Sequence, residues 1–475
     1  MFQKLSEFNA WFNGVAWGPA LIILLVGGGL VLMVYSRLIP FTGFAHALRL
    51  TLGRYHHPGD ATDPGQISHF KALCNALAAT VGLGNIAGVA VAINQGGPGA
   101  IFWMWITALV GMNTKFFECT LAVMFRGKDY TGQVQGGPMY VIDNALPSIF
   151  KPLAIFFAVC GLIGTTAIFT ANQTTAFIHG VWAKPIATDH TWLGMSLDKL
   201  LIGIVLAVLI TYVLLGGLKR LASWTSAMVP VMCLFYIVGA LTALSMKVDA
   251  IPAAFISIFT HAFSIEAGVG GVEGGIVAVL IIGVKRAAFS NEAGIGTAPM
   301  AHSNAKTTEP ISEGLVAMLG PMIDTLIVCT MTALVILVFV PPAEFSQYNK
   351  VLLTNHAFSN AFGQWGTHTL GIAVALFGFS TMVGMANYNT KCWNYLVRDR
   401  LGSVGPKIFL VWFALTLILG SALPSGDMIN LVDTAYALMA IPTMTSTLIL
   451  APHVTRALKE YKRKYIGNDS TTSSI

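Results

Sequence analysis

The chain carries few charged residues, and this scarcity decides its class. Only 10% of the 475 residues are Asp, Glu, Lys or Arg, where a soluble protein has about 25%. Hydrophobic residues make up 55% of the chain, and its mean hydropathy is +0.71. Apolar runs of about 20 residues, long enough to cross a bilayer, recur from end to end. The composition therefore predicts an all-α polytopic membrane protein with the lipid bilayer as its solvent.

Several motifs are also missing. The six cysteines form no CxxC pair, which argues against a disulfide framework or a zinc site, and the histidines show no metal-ligand spacing. HExxH, GxSxG and paired-Asp motifs are absent, so we do not expect an enzyme. The net charge of +6 needs no nucleic-acid partner, because the basic residues lie between the spans. The N-terminus lacks a cleavable signal pattern, so the first apolar run is expected to stay as a span.

Hydropathy predicts about eleven transmembrane helices. They are placed near 18–36, 72–94, 99–125, 152–179, 200–217, 221–246, 276–300, 314–340, 367–394, 406–423 and 428–451. With the N-terminus outside, the inside connections hold most of the 27 Lys and Arg residues. Because basic residues favour the cytoplasmic side, the C-terminus is predicted to be cytoplasmic in a plasma (inner) membrane.

Two predicted spans carry helix-breaking residues near mid-membrane. Residues 81–90 read VGLGNIAGVA, and residues 287–299 read AAFSNEAGIGTAP. Glycine costs a helix about 1 kcal/mol relative to alanine, and freed backbone groups are tolerated in a membrane only where they line a cavity or are covered by protein. Asn85 is a suitable N-cap for a half-helix that restarts at Ile86. Close packing of small residues is the alternative for the first segment alone.

The two interruptions fall at corresponding places. If the first span is set aside, the other ten divide five and five, and the interrupted spans come first in each half. Paired interruptions of this kind indicate an inverted-repeat transporter with a midplane site. The predicted parts are 1–66, an N-terminal peripheral helix and connection, 67–247 and 248–453, the two five-helix repeats, and 454–475, a cytoplasmic tail.

A third segment adds hydroxyl groups. Ser380 and Thr381 lie deep in the ninth span. Such side chains often bond their own helix. Beside two broken helices, they are also suitable hard-oxygen ligands for Na⁺.

These segments resemble a known family. GLGNIAGVA, INQGGPGAIFWMWITALVGM, QGGPMYVI and FSNEAGIGTAP are similar to the alanine or glycine:cation symporters of bacteria and archaea, over essentially the whole chain. That family is similar in architecture to the leucine-transporter fold of the neurotransmitter:sodium symporters. The resemblance implies Na⁺-coupled uptake of small neutral amino acids by alternating access. Some members take glutamine, serine or D-alanine, and H⁺ coupling is also implied for some.

The resemblance also implies site residues. A first Na⁺ site corresponds to the carbonyls of Ala78, Val81 and Phe377 and the hydroxyls of Ser380 and Thr381. A second cation site, which touches the substrate carboxylate, corresponds to Thr80, Asn85 and Ser290. The amide of Gly84 corresponds to the carboxylate-binding group, and Phe289, Asn291 and Gly294 to the segment that receives the amino group and side chain. Phe289 and Met385 are expected to close the pocket and favour alanine over leucine.

Other assignments stay open at this point. Lys285 and Arg286 precede the second break, where they are expected either to reach a water-filled vestibule or to pair with Glu292 or Asp324. One of the polar residues Thr165, Thr166, Asn172 and Gln173 in the fourth span is expected to touch the substrate. A channel is the rival from another class, but channel filters are usually built from repeated subunits. No organic cofactor is expected, and the sequence does not fix the oligomeric state.

Overall fold

The computed structural model describes residues 2–54, 65–129, 132–183, 190–192, 195–264, 275–348, 350–423 and 425–466. Helices dominate these segments. The α-helices in the first part of the chain are Phe2–Ala16, Pro19–Ile22, Gly28–Ser36, Ile39–Thr42, Phe44–Thr51, His69–Thr80, Val89–Gly96, Gly99–Met124, Pro138–Ala145, Lys151–Gly164, Ile168–Phe177, Leu197–Leu214 and Gly217–Ser245. Those that follow are Ile251–Ala262, Gly275–Asn291, Thr297–His302, Pro310–Ala317, Leu319–Pro321, Thr330–Phe339, Val351–Phe362, Gln364–Val397, Gly405–Ala422 and Ser425–Tyr461.

Wider π-helical turns join several of these helices into longer spans. They are Ile23–Gly27, Gly84–Gly88, Ile178–Ala183, Met322–Cys329 and Lys462–Ile466. Short 3₁₀ helices lie at Ser148–Phe150, Val248–Ala250, Pro342–Gln347 and Arg398–Val404. Two small antiparallel pairs of strands, Gly127–Lys128 with Val134–Gln135 and Thr191–Trp192 with Met195–Ser196, lie in connections.

The prediction of an all-α membrane protein with two discontinuous helices is confirmed. Nine helices of the described segments are long and apolar enough to cross a membrane, and a bent pair raises this number to ten. That pair, His69–Thr80 with Gly84–Gly96, bends by 51° and is the first predicted interruption. The predicted count of eleven is not confirmed in the described segments.

The seventh predicted span is not counted among these helices, because it is broken. In place of one helix over 276–300, the structure has Gly275–Asn291, of 17 residues, and the separate helix Thr297–His302. Between them Glu292, Gly294 and Gly296 have φ values of 60°, 81° and 95°, a conformation that no right-handed helix can contain. The segment FSNEAGIGTAP therefore ends one helix and starts another.

The two broken spans lie at the centre of the molecule. His69–Thr80 packs against Gly217–Ser245, Gln364–Val397 and Thr297–His302. Gly99–Met124 covers both Gly275–Asn291 and Pro310–Ala317. Glycines allow some of these approaches, since a Cβ at Gly384 would lie 2.6 Å from the backbone nitrogen of Ala79. Small residues that bring helix backbones together are typical of membrane proteins.

The predicted boundaries between the two repeats stay predictions. In the described residues between the sixth and seventh predicted spans, the α-helix Ile251–Ala262 packs on Gly99–Met124. The predicted tail begins inside the long last helix Ser425–Tyr461, and residues 467–475 lie outside the described residues.

Candidate functional site

The polar groups at the first break are mainly those of the backbone. Val81 follows the helix His69–Thr80 in an extended conformation, with φ −75° and ψ 90°, and the next helical turn starts at Gly84. The backbone N–H of Gly82 donates to Oδ1 of Asn85 at 2.8 Å. The predicted N-cap role of Asn85 is therefore wrong. Its side chain bonds backward to the break, because the helix has already restarted one residue before it.

The second break is held by its own side chains. The hydroxyl of Thr297 donates to Oε2 of Glu292 at 2.5 Å, and the backbone N–H of Ala293 donates to Oδ1 of Asn291 at 3.1 Å. From a neighbouring helix, Thr443 donates to the carbonyl of Ile295 at 3.0 Å. Buried polar groups must find such partners, and here most of them come from the segment itself.

Asp324 links the two breaks. Its carboxylate accepts hydrogen bonds from Nδ2 of Asn85 at 2.6 Å and from Oγ of Ser290 at 2.7 Å. Thr325 also donates to it, at 2.7 Å, and accepts from Nδ2 of Asn291 at 3.1 Å. The lone acid of the eighth span thus joins residues from both interrupted helices.

The residues assigned to the first Na⁺ site come together around the first break. Oγ of Ser380 lies 3.2 Å from the carbonyl oxygen of Ala78 and 3.2 Å from that of Phe377. The neighbouring hydroxyl of Thr381 is buried and has no hydrogen-bond partner in the described structure. A Cβ at Gly82 would lie 2.0 Å from that oxygen, so Thr381 faces the break directly.

This oxygen set suits a hard cation. Backbone carbonyls and hydroxyls are neutral oxygen ligands, which small hard cations accept. An unpartnered buried hydroxyl costs about 1–3 kcal/mol, which a bound cation would offset. Residues Ala78, Phe377, Ser380 and Thr381 are thus mutually close, and Val81 lies beside Gly82 in the chain.

A small cavity of about 30 Å³ opens next to this oxygen set. Four residues assigned to the substrate line it: Thr80, Gly84, Phe289 and Met385. Its other lining residues are Ala79, Gly164, Thr166, Phe169, Thr170, Thr381, Val432 and Tyr436. We call it the inner cavity. Because Thr381 also lines it, a ligand there would lie beside the proposed Na⁺ ligands.

Four assigned residues do not line the inner cavity. The side chains of Asn85 and Ser290 point to Asp324, and Asn291 bonds Thr325. Gly294 lies against Leu25, whose Cδ2 would be 2.6 Å from an added Cβ. The assigned second cation site is therefore divided, since Thr80 lines the cavity while Asn85 and Ser290 meet at Asp324.

In the fourth span, Thr166 and Thr170 line the inner cavity. The other polar residues there bond the protein: Thr165 donates to the carbonyl of Gly161, and Asn172 to that of Gly420. Thr166 is one of the four candidates that the polar composition of this span predicted, whereas Thr170, Phe169, Val432 and Tyr436 were not predicted. Apolar and aromatic residues of a span give no separate signal in the sequence.

A wider space lies on the other side of Phe289. This vestibule has a volume of about 510 Å³ and shares Phe169 and Phe289 with the inner cavity. Lys285, Arg286 and Lys350 line it together with one acid, Asp433. Burial lowers the pKa of Lys350, which lies between spans, and Asp433 opposes this shift. Lys285 and Arg286 therefore reach a vestibule, one of the two alternatives.

A buried carboxylate connects the far ends of the two broken spans. His302 Nδ1 lies 2.5 Å from one oxygen of Glu313, and Nδ1 of His69 bonds the other. His69 begins the first broken span and His302 ends the second. The vestibule is lined by the other ends of these spans, at Asn94 and Lys285, so the cluster and the vestibule lie at opposite ends of both. No group of three or more His, Cys, Asp or Glu suited to a metal ion occurs in the described segments.

Comparisons with known proteins concern the family and the fold. The profile of the sodium:alanine symporter family matches residues 2–473. The chain is 37% identical to the sodium/alanine symporter AgcS of Methanococcus maripaludis, over 96% of this chain and 98% of that protein. It is 30% identical to the probable sodium/glutamine symporter GlnT of Bacillus subtilis, over 99% of this chain and 93% of that protein.

A solved structure supports the fold. The chain resembles MhsT, solved in complex with L-phenylalanine, with a TM-score of 0.56 over 84% of this chain and 99% of that one. Their sequences are 13% identical, so the likeness concerns the fold alone.

Proposed function

Because the chain belongs to the sodium:alanine symporter family, we propose that it takes up small neutral amino acids, alanine and glycine, together with Na⁺. Like the proteins of its family, it is a membrane transporter and not an enzyme. The observation that carries the proposal is the buried hydroxyl of Thr381, which faces the backbone of the first break and lines the inner cavity.

Coupling follows from placing the ion beside the ligand. A zwitterion is costly to bury without partners. The positive N-terminal end of the turn that starts at Gly84 favours a carboxylate, and a Na⁺ held near Ser380 and Thr381 adds positive charge beside the cavity. Each ligand then tightens the other by the same factor. Inward movement of one positive charge gains about 2.3 kcal/mol per 100 mV, so a polarised membrane drives accumulation.

The oxygen set favours Na⁺ over H⁺. The side chains of Ser380 and Thr381 contribute hydroxyls and the other ligands are carbonyls, so no group of this set takes up a proton near neutral pH.

Alternating access would open the inner cavity first to the vestibule, past Phe289, and then to the side of the Glu313 cluster. The predicted orientation makes the vestibule the outside face.

Cavity size supports alanine and glycine as substrates. The inner cavity is narrow and bounded by Phe289 and Met385, so a branched side chain fits there less well than the methyl group of alanine. Leucine should therefore compete with labelled alanine far more weakly than glycine does. Met385→Ala should enlarge the cavity and improve competition by leucine about ten-fold, which corresponds to about 1.4 kcal/mol. Equal competition by leucine and glycine in the wild type would contradict the size argument.

The test of the proposed function is uptake into proteoliposomes that hold the full chain. Labelled alanine, glycine and glutamine are supplied in turn, with Na⁺ and H⁺ gradients imposed separately. We expect saturable alanine and glycine uptake that needs the Na⁺ gradient, and exchange against internal unlabelled alanine. Uptake driven by H⁺ alone would indicate a proton symporter, and a preference for glutamine would indicate a glutamine symporter. Flux without exchange would indicate a channel.

A further inference from the structure

The two broken spans are tied together by their backbones at the ends that the sequence predicts to be cytoplasmic. Ile67, just before the first broken span, and Ala305, just after the second, form a parallel β-bridge. The backbone N–H of Lys306 donates to the carbonyl of Ile67 at 2.7 Å. That of Gln66 donates to the carbonyl of Asn304 at 2.9 Å. We call this contact, of residues 66–67 with residues 304–306, the inner tie.

Glu313 adds a side-chain link at the same end of both spans. It is fully buried, and its two carboxylate oxygens bond Nδ1 of His69 and, at 2.5 Å, Nδ1 of His302. His69 belongs to the first broken span and His302 to the second. Because Glu313 itself lies on the helix Pro310–Ala317, its carboxylate fastens both broken spans to a third, neighbouring span.

The strength of this link depends on the charge of the histidines. A buried carboxylate is costly without a positive partner, and a charge-assisted hydrogen bond is about twice as strong as a neutral one. Histidine gains or loses its charge within the physiological pH range. His69 and His302 therefore hold Glu313 more strongly when they are protonated than when they are neutral donors.

Other titratable groups lie on the helices that pack against Pro310–Ala317 and include Lys115, Glu118 and Cys119 on Gly99–Met124, His46 and Arg49 on Phe44–Thr51, Lys71 and Cys74 on the first broken span, and His453, Arg456 and Tyr461 on the last helix. Of these, Cys119 interacts electrostatically with Glu313, and His46 bonds Tyr461. Among the described residues, the histidines that act on Glu313 are His69 and His302, so these two set the charge of the link.

We propose that Glu313 is a positioning residue for transport, which holds the inner ends of both broken spans together until the ligands are released, and that protonation of His69 and His302 strengthens this hold. To open the inner cavity toward the Glu313 cluster, the spans must part there. The inner tie and the bonds to Glu313 must therefore break in the same step. The proposal rests on the proposed function, because it concerns one step of alternating access.

The direction of the pH effect follows from proton linkage. In the closed state the carboxylate of Glu313 stabilises the charged histidines, so this state binds more protons than the open state, in which the histidines leave Glu313. A lower pH therefore favours the closed state, and a higher pH favours opening. Exchange of alanine needs the inner cavity to open to both sides in turn, so exchange should be slowest in acid.

The experiment is alanine exchange in proteoliposomes that hold the full chain, with equal Na⁺, alanine and pH on both sides, so that no gradient drives the flux. The maximal exchange rate of the wild type should rise about ten-fold from about pH 6 to about pH 8. KM for alanine should change by less than about two-fold, because the histidines do not line the inner cavity. Glu313→Gln removes the carboxylate charge and should make the rate nearly independent of pH. The control Glu460→Gln, which removes an exposed acid from the same predicted face, should keep the wild-type profile.

A reversible cross-link tests the inner tie directly. Ile67→Cys combined with Ala305→Cys places two thiols at the paired positions of the β-bridge, a separation that a disulfide can span. The six native cysteines are buried, so mild oxidation should join the introduced pair. We expect oxidation to stop exchange and reduction to restore it, whereas Ile67→Cys alone should respond to neither.

Three results would overturn the proposal. A wild-type exchange rate that stays flat or falls as the pH rises would contradict the direction of the effect. A rate in Glu313→Gln that rises with pH as in the wild type would leave Glu313 with a purely structural role. Undiminished exchange by the cross-linked pair would show that the inner tie does not part during transport.

A second variant covers a failure of Glu313→Gln to fold. His302→Gln removes one of the two charged donors and should flatten the same pH profile, and an unchanged profile would count against the proposal. Failure of the proposed function would instead appear as absent alanine exchange in the wild type at every pH.

Discussion

The two breaks differ in what they leave free. At the first, the only side-chain bond within the segment comes from Asn85, and the hydroxyl of Thr381 faces Gly82 without a partner in the described structure. At the second, Asn291 bonds the backbone and Thr297 bonds one oxygen of Glu292, whose other oxygen has no partner in the described structure. An unpartnered hydroxyl beside other neutral oxygen ligands suits a cation, while a segment whose side chains mostly bond the segment itself mainly holds its shape. The first break is thus the better candidate for ion binding.

The largest effect is expected from Gly82→Ala. Its Cβ would lie 2.0 Å from Oγ1 of Thr381, so the hydroxyl must leave its position and the oxygen set must open. We expect a loss of Na⁺-dependent alanine uptake of about 100-fold or more, corresponding to about 2.8 kcal/mol. Gly88→Ala is the matched control, because its Cβ meets nothing within 4 Å. Equal activity of the two variants would show that the first break does not hold the ion.

Ser380→Ala combined with Thr381→Ala tests the same site without a steric clash. Each hydroxyl is worth about 1 kcal/mol, so the half-saturating Na⁺ concentration should rise about 30-fold while membrane insertion stays intact. Uptake measured over a range of Na⁺ concentrations gives this number. The control variant Thr369→Ala, on the same helix, should leave the half-saturating Na⁺ concentration unchanged. An unaltered Na⁺ dependence in the double variant would remove the cation-site assignment.

Asp324→Asn tests the link between the breaks. The carboxylate accepts three side-chain hydrogen bonds, and an amide in its place must turn one acceptor into a donor. We expect the hydrogen bonds between Asp324 and the two breaks to weaken by about 1 kcal/mol. The half-saturating Na⁺ concentration should therefore rise about five-fold. Asp249→Asn, which removes an exposed acid, is the control. A 30-fold or larger rise would place Asp324 among the direct ion ligands.

The smallest effect on Na⁺ is expected at the second break. Gly296→Ala introduces a Cβ 2.3 Å from Oγ1 of Thr443 at a φ of 95°, which should lower the thermal midpoint in detergent. The backbone strain alone is about 1–2 kcal/mol. Gly97→Ala, at a φ of 65° with no atom within 4 Å of its Cβ, should lower the thermal midpoint less, because it has backbone strain without a steric clash. In both variants the folded protein should keep its Na⁺ dependence within about two-fold. A large change in Gly296→Ala alone would make the second break part of the ion site.

Much of the candidate site could be predicted because it depends on unusual residues. Glycines at 82, 84, 294 and 296 mark both breaks in the sequence, since glycine in a membrane helix needs a reason. Ser380 and Thr381 stand out in an apolar span for the same reason. The side to which a polar residue points could not be predicted, and so Asn85 and Ser290 were assigned to the cavity although they face Asp324.

Hydropathy and the glycine-rich motifs suffice to predict the membrane class, the family and the positions of both interruptions, because hydropathy and backbone conformation are local properties of the residues. Which polar groups satisfy one another, and which stay free, follows only from how the helices pack. Among the described residues, the hydroxyl of Thr381 has no partner, while the side chain of Asn291 bonds both Thr325 and the backbone of Ala293. That difference depends on atoms that are distant in the chain and meet only when the helices pack.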